Sequence, residues 1–168
     1  CTIASITASP TSFTCANVGA NNVVLTATDI FGNSSTCSAV VTVTDTVAPV
    51  AVCQNFTTYL NGSGTTTIAT SNINNGSTDN CAIASTSLSQ TTFLCANTGS
   101  NAVSLTITDT YGNAQSCAAT VTVLDTIRPV AVCQAYTAYL DGNGQFALLP
   151  AMVDNGSSDY CGIASSAV

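Results

Sequence analysis

Asn-Ala-Val-Ser-Leu-Thr-Ile-Thr-Asp-Thr-Tyr-Gly-Asn-Ala-Gln-Ser-Cys-Ala-Ala-Thr-Val-Thr-Val-Leu, residues 101–124, decides the fold class. Val103, Leu105 and Ile107 alternate with Ser104, Thr106 and Thr108, and Cys117, Ala119, Val121 and Val123 share one face of the following run. A period of two with threonine on one side marks half-buried strands. Between the runs, residues 109–113 read as a hairpin turn in which Asp109 caps and Gly112 takes positive φ.

The stretch has a counterpart 80 residues earlier, where Val23, Leu25 and Ala27 alternate with Val24, Thr26 and Thr28. Thr-Asp-Ile-Phe-Gly-Asn (28–33) returns as Thr-Asp-Thr-Tyr-Gly-Asn (108–113), and Pro-Val-Ala-Val-Cys-Gln (49–54) returns unchanged at 129–134. The cysteines keep the same period: Cys1, Cys81 and Cys161; Cys15 and Cys95; Cys37 and Cys117; Cys53 and Cys133. A fixed period of this size is the signature of a tandem array. Asp-Thr-x-x-Pro at 45–49 and 125–129 marks the boundaries. Residues 1–45 read as the C-terminal part of one repeat, 46–125 as a complete repeat and 126–168 as the N-terminal part of a third. Nine cysteines are then two sets of four plus one.

Composition sets the class. A unit of this size buries only about 60 to 65% of its unfolded surface, so its core is marginal without help. Four cysteines per unit, separated by 14, 22, 16 and 28 residues and with no histidine in the chain, suit disulfides in an oxidising compartment rather than zinc. The net charge is −7, all eight acidic residues are Asp, and Arg128 is the only cation. Nucleic acid and anionic membrane surfaces are poor partners for such a chain. No stretch approaches the ~20 apolar residues of a membrane span. Without lysine, Lys–Asn isopeptide cross-links are impossible and disulfides are the available covalent staples.

Further strands are expected at 50–60, 65–69, 82–88 and 91–95, with tight turns at 61–64 and 141–144. Many short strands at about ten-residue spacing predict an all-β fold of tandem immunoglobulin-like sandwiches, disulfide-stapled. Six strands would return the chain to the end it entered, so an extended array calls for a seventh between Ala69 and Thr78. If 82–88 and 91–95 form a hairpin, positions summing to 176 face each other. Cys81 then faces Cys95 and Ile83 faces Phe93, with Cys1–Cys15 as the earlier copy. Cross-strand partners on one face are close enough to bridge.

The Asp-Thr-x-x-Pro-x-x-x-Cys opening, Asp-Asn-Cys at 79–81 and the Thr-Asp-x-x-Gly-Asn hairpin before a Cys-bearing last strand resemble hyalin-repeat (HYR-type) domains. The chain is also similar to the Thr/Asn-rich tandem repeats of large Bacteroidetes surface proteins, including flavobacterial gliding-type adhesins. The HYR resemblance implies a bridge from first strand to last, Cys53–Cys117, which would clamp the termini of a pulled unit. The rival pairing, Cys37–Cys53 with Cys117–Cys133, would instead staple each junction.

Catalysis has little to work with, since His, Glu and Lys are absent and every Asp lies in turn text. The chain therefore reads as no enzyme, with no required cofactor. Asp45, Asp79, Asp109 and Asp125, with Asn113 nearby, offer hard oxygen ligands suited to calcium at repeat junctions. The competing reading makes the same residues turn caps. Asp45-Thr46-Val47 and Asp125-Thr126-Ile127 resemble the Asp-Thr-aliphatic O-glycosylation sequon of Bacteroidetes, with Thr46 and Thr126 as acceptors. Asn-x-Ser/Thr at Asn33, Asn55, Asn61, Asn75 and Asn155 matters only in a host with N-linked machinery. Tyr59, Tyr111, Tyr136, Tyr139, Phe31 and Phe56 read either as strand packing or as a sugar-stacking surface.

These features point to a structural repeat of a secreted or cell-surface filament or adhesin stalk. Its partners would be neighbouring repeats of the same chain, like filaments or surface glycans. The alternative is a carbohydrate-binding module array attached to a secreted enzyme or adhesin tip.

Overall fold

Val103, Leu105 and Ile107 are 1%, 0% and 0% exposed in the computed structural model, which describes residues 2–164. They lie on β8 (Gly99–Asp109), and Ala119, Val121 and Val123 of β9 (Ala114–Leu124) are buried with them. The alternation in 101–124 thus becomes one face of a core, completed by Leu60, Ile68, Ile73 and Phe93.

The chain is predominantly β. β1 (Ile3–Ser9), β2 (Gly19–Asp29) and β3 (Ser34–Val43) form an antiparallel sheet in the order β1-β2-β3. β4 (Phe56–Tyr59), β6 (Ile83–Leu88), β8 and β9 form a second sheet in the order β4-β9-β8-β6, with β4 parallel to β9 from Phe56↔Val121 to Tyr59↔Leu124. β5 (Thr65–Thr67) pairs with β7 (Thr92–Leu94) in a third. Two single-turn helices are present, α1 (Thr70–Ile73) and α2 (Pro150–Val153), and no helix among the described residues is long and apolar enough to cross a membrane.

The chain divides into two compact units. One comprises residues 1–50, 77–86 and 107–115, and so contains β1–β3, the Asp45–Pro49 link and the β8–β9 turn. The other comprises 51–76, 87–106 and 116–168, and holds β4, β5, β7 and most of the buried core.

Local structure follows the 80-residue period. The 3-10 turn Cys15–Asn17 recurs at Cys95–Asn97, and α1 recurs as α2. The single bridges Val50↔Thr78 and Cys53↔Asn74 recur as Val130↔Ser158 and Cys133↔Asp154. Residues 135–149 resemble 55–69 in sequence yet form no strand, and Tyr139 and Leu140 stay exposed.

Two expectations are corrected here. The segment between Ala69 and Thr78 forms α1 and two single bridges instead of a seventh strand. Asn72 Oδ1 accepts the Ala69 N–H, an example of a short polar side chain competing with ladder pairing. The hairpin joining 82–88 to 91–95 is also absent: β6 lies beside β8, while β7 pairs with β5. Ser89 donates its N–H to Ser104 O and Ile68 donates to Thr91 O, so the chain changes sheets within three residues. This change places Phe93 at 0% exposure in the core.

Candidate functional site

With β6 and β7 in different sheets, Cys81 and Cys95 cannot face each other, and the cysteines pair differently from the hairpin register. Cys15 is bonded to Cys81 (Cα–Cα 5.4 Å), Cys53 to Cys117 (5.8 Å) and Cys95 to Cys161 (5.2 Å). The expected Cys81–Cys95 bridge is therefore corrected. Cys1 lies outside the described residues, and Cys1–Cys15 is excluded because Cys15 is already bonded. The Cys37–Cys53 and Cys117–Cys133 pairing is not formed either, and Cys37 and Cys133 are exposed free thiols.

Cys15–Cys81 and Cys95–Cys161 are the same bond one period apart, each closing 66 residues. Each runs from one copy of the repeat text to the next, across an Asp-Thr-x-x-Pro link. Sequence reasoning considered pairs within a repeat, or between neighbouring Cys37- and Cys53-type positions, and missed this one. The spacing held no signal for it, since the partners lie 66 residues apart against a period of 80.

Around the first of these bonds, within one compact unit, Tyr111 donates its hydroxyl to Cys15 O at 2.8 Å. Asn113 Nδ2 donates to Asp45 O at 3.2 Å, and Val50 and Thr78 exchange both backbone hydrogen bonds. Gly64 is packed beside the second bond: a Cβ there would lie 2.5 Å from Tyr160 Cδ1 and 2.7 Å from Cys95 Sγ.

Beside the first bond, Asp45, Asp79 and Asp109 bring carboxylate oxygens within 4.8 Å of one another. Each is held by backbone donors. Asp45 Oδ1 accepts from Val47 N, Asp79 Oδ2 from Cys81 N and Ala82 N, and Asp109 Oδ1 from Tyr111 N and Asn113 N. Turn chemistry thus fixes the carboxylates, but it does not use all their oxygens. Asp45 Oδ2 and Asp79 Oδ1 are buried without a hydrogen-bond partner.

Asp109 is 2% exposed. Burial raises its pKa, but the Asn113 amide and the N–H groups of Tyr111, Asn113 and Gly112 outweigh burial and hold the carboxyl below its ordinary value. It is therefore ionised at neutral pH. Asn113, expected as an oxygen ligand, acts as a donor: its Nδ2 reaches Asp109 Oδ2 at 2.7 Å. Asp125 belongs to a second group with Asp159 and Cys161, in which Asp159 Oδ2 is again buried and unpaired. The Cys161 sulfur is bonded to Cys95 and is no thiolate ligand there. Asp45, Asp79 and Asp109, the first two each with an orphaned oxygen, form an all-oxygen donor set, which fits a hard divalent cation.

Thr46 and Thr126 are exposed, each following an aspartate whose Oδ1 caps the N–H two residues on. The aromatic residues do not form one platform: Tyr59 and Tyr139 are exposed, Tyr136 stacks on Phe146, and Tyr111 is tied to Cys15. A shallow pocket of about 220 Å³ beside Ile3 and Ser34 contains Asp29, whose oxygens accept from Phe31 N, Asn33 N and Asn33 Nδ2.

No protein-family model matches the chain, and neither does any curated protein. Among solved structures, the protocadherin gammaB7 EC3-6 cis-dimer structure is similar at 19% identity and a TM-score of 0.33, over 71% of this chain and 35% of that one. An endo-fucoidan hydrolase of glycoside hydrolase family 107 is similar at 17% identity and a TM-score of 0.29, over 75% and 23%. The chain spans about a third and a quarter of these structures, and similarity at this level carries no functional argument.

Proposed function

We propose that this chain is part of a tandem array of immunoglobulin-like repeats in a secreted or cell-surface filament or adhesin stalk, with a spacer and attachment role and no catalysis. The observation that carries the reading is the bond made twice, Cys15–Cys81 and Cys95–Cys161, from one copy of the repeat text to the next. A separable enzyme or binding module has no need of a covalent bond at each link, whereas an extended chain under load does. Three disulfides place the protein in an oxidising compartment. The resemblance to HYR-type and Bacteroidetes surface repeats supports a cell-surface location. In such an array Cys37 and Cys133, at the positions of Cys117 and Cys53, would be bonded within their own repeats.

Immunogold microscopy with antibodies against this chain tests the reading. It requires label on filaments outside the cell envelope, and label confined to the cell interior contradicts it. The exposed Tyr59 and Tyr139 favour the carbohydrate-binding alternative. Saturable binding on a glycan array would support that alternative.

Two modifications of the junction belong to the same proposal. Calcium is held by Asp45, Asp79 and Asp109, with the orphaned Asp45 Oδ2 and Asp79 Oδ1 as ligands, and a glycan is carried on Thr46 and Thr126. Either would restrict the link between neighbouring repeats.

A further inference from the structure

The order of the bonded cysteines along the chain is 15, 53, 81, 95, 117, 161, so each disulfide loop overlaps the next. Consider tension applied from the two ends. Between Cys15 and Cys161 lie 146 residue steps. The Cys15–Cys81 bond short-circuits 66 of them and Cys95–Cys161 another 66. Only the 14 steps from Cys81 to Cys95 remain in the shortest covalent path.

We propose that the segment Cys81–Cys95, with the disulfide at each of its ends, is the tension-bearing thread of the repeat, and that the rest of the repeat lies outside the force path. The detour through Cys53–Cys117 runs 28 steps back from Cys81 and 22 back from Cys117 to Cys95, so it stays slack when the 14-step segment is taut. Cys53–Cys117 therefore holds the fold and carries no tension, contrary to the role that a first-to-last clamp suggests. A taut segment of 14 residues spans at most about 50 Å. A repeat built this way cannot lengthen much beyond that value even when completely unfolded.

The thread is also well anchored. It contains β6 at the edge of the four-stranded sheet and β7 in the β5–β7 pair, with Phe93 fully buried between its ends. Its flanking bonds are buttressed by Tyr111, which donates to Cys15 O, and by Gly64, packed against Cys95 Sγ. The mechanical role rests on the stalk reading, but the force path itself depends only on the bonds.

The test is single-molecule stretching of the whole 168-residue chain from handles at its two termini, with free thiols alkylated, before and after treatment with a dithiol reductant. The two bonds together hide twice 66, or 132, residue steps. Reduction should lengthen the limiting extension by roughly 450 Å, at about 3.4 Å per residue. A Cys53→Ser/Cys117→Ser double variant should reach the same limiting extension as the oxidised parent, folded or not, because it leaves the shortest path unchanged. An oxidised parent that extends by hundreds of ångströms, or a double variant that extends further than the parent, overturns the proposal. Either result would leave cell-surface labelling, and so the stalk reading, to stand or fall separately.

Discussion

Cys81 is bonded to Cys15, 66 residues earlier and on the far side of the Asp45–Pro49 link, while its backbone N–H is held by Asp79 Oδ2 at 2.8 Å. The same residue pair, Asp79 and Cys81, thus fixes one edge of the carboxylate group and one end of a covalent staple. The proposed cation site would therefore be coupled to the stability of the Asp45–Pro49 link.

Removing a bridge should be costly because the core is small. A loop of 64 residues closed by Cys53–Cys117 contributes about 4 kcal/mol in the chain-entropy model. Cys53→Ala/Cys117→Ala should lower the unfolding free energy by about 2–5 kcal/mol in denaturant titrations. An unchanged midpoint would show that the core suffices alone.

Calcium should bind the Asp45, Asp79 and Asp109 group, measured by isothermal titration calorimetry. At a hundredfold excess over the dissociation constant the gain is about 2.7 kcal/mol, visible as a raised unfolding midpoint. Asp79→Asn should abolish most of the heat while preserving the fold, since the amide oxygen can still accept from Cys81 N. Equal heats from the variant and the parent would return these residues to turn capping.

Gly64 has φ +67°, a region where a Cβ costs roughly 1–2 kcal/mol. Gly64→Ala also places its methyl on Tyr160 and the Cys95 sulfur. The variant should therefore be destabilised more than Gly144→Ala, where φ is +77° but nothing lies within 4 Å. Equal losses in thermal unfolding would mean that the packing at Gly64 is immaterial.

Acid should weaken the fold in a defined window. Hydrogen bonds from Asn33 hold Asp29 below its ordinary value of 3.8, those from the Gln145 and Asn143 N–H groups do the same for Asp141, and those from Ser157 for Asp154. For Asp109, burial acts upward and is outweighed by Asn113. A depressed carboxyl binds fewer protons folded than unfolded, so stability rises with pH through this window. Its contribution is complete above about 3.8 and lost as pH falls through the depressed values. A flat stability profile between pH 5 and pH 2 contradicts this.

Thr46 and Thr126 should carry extra mass in protein from its native source and none in protein from a host without the glycosylation pathway. Peptide mass spectrometry decides it, and unmodified native peptides spanning both residues would remove the glycan from the account.

Legible in the sequence were β2, β8 and β9, through their apolar period, and the short strands β4 to β7, which fall inside the expected 50–60, 65–69, 82–88 and 91–95. Asp109 was legible as a turn cap from Gly112 and Asn113. The destination of β7 was not legible. A three-residue strand around Phe93 has no period, and its choice of β5 over β6 is made by the core that Phe93 enters. The disulfides followed that error, since a register drawn on an absent hairpin placed Cys81 opposite Cys95. The meeting of Asp79 with Asp45 and Asp109 is likewise tertiary, and sequence could suggest the group but not its unpaired oxygens.

Disulfide mapping of the unreduced protein tests the central claim most directly. Because Arg128 is the only cationic residue, pepsin or Asp-N should replace trypsin, with free thiols blocked first. The account predicts linked peptides joining Cys15 to Cys81, Cys53 to Cys117 and Cys95 to Cys161. Linked peptides joining Cys81 to Cys95 would contradict it, because each repeat would then be closed on itself and no bond would cross the links.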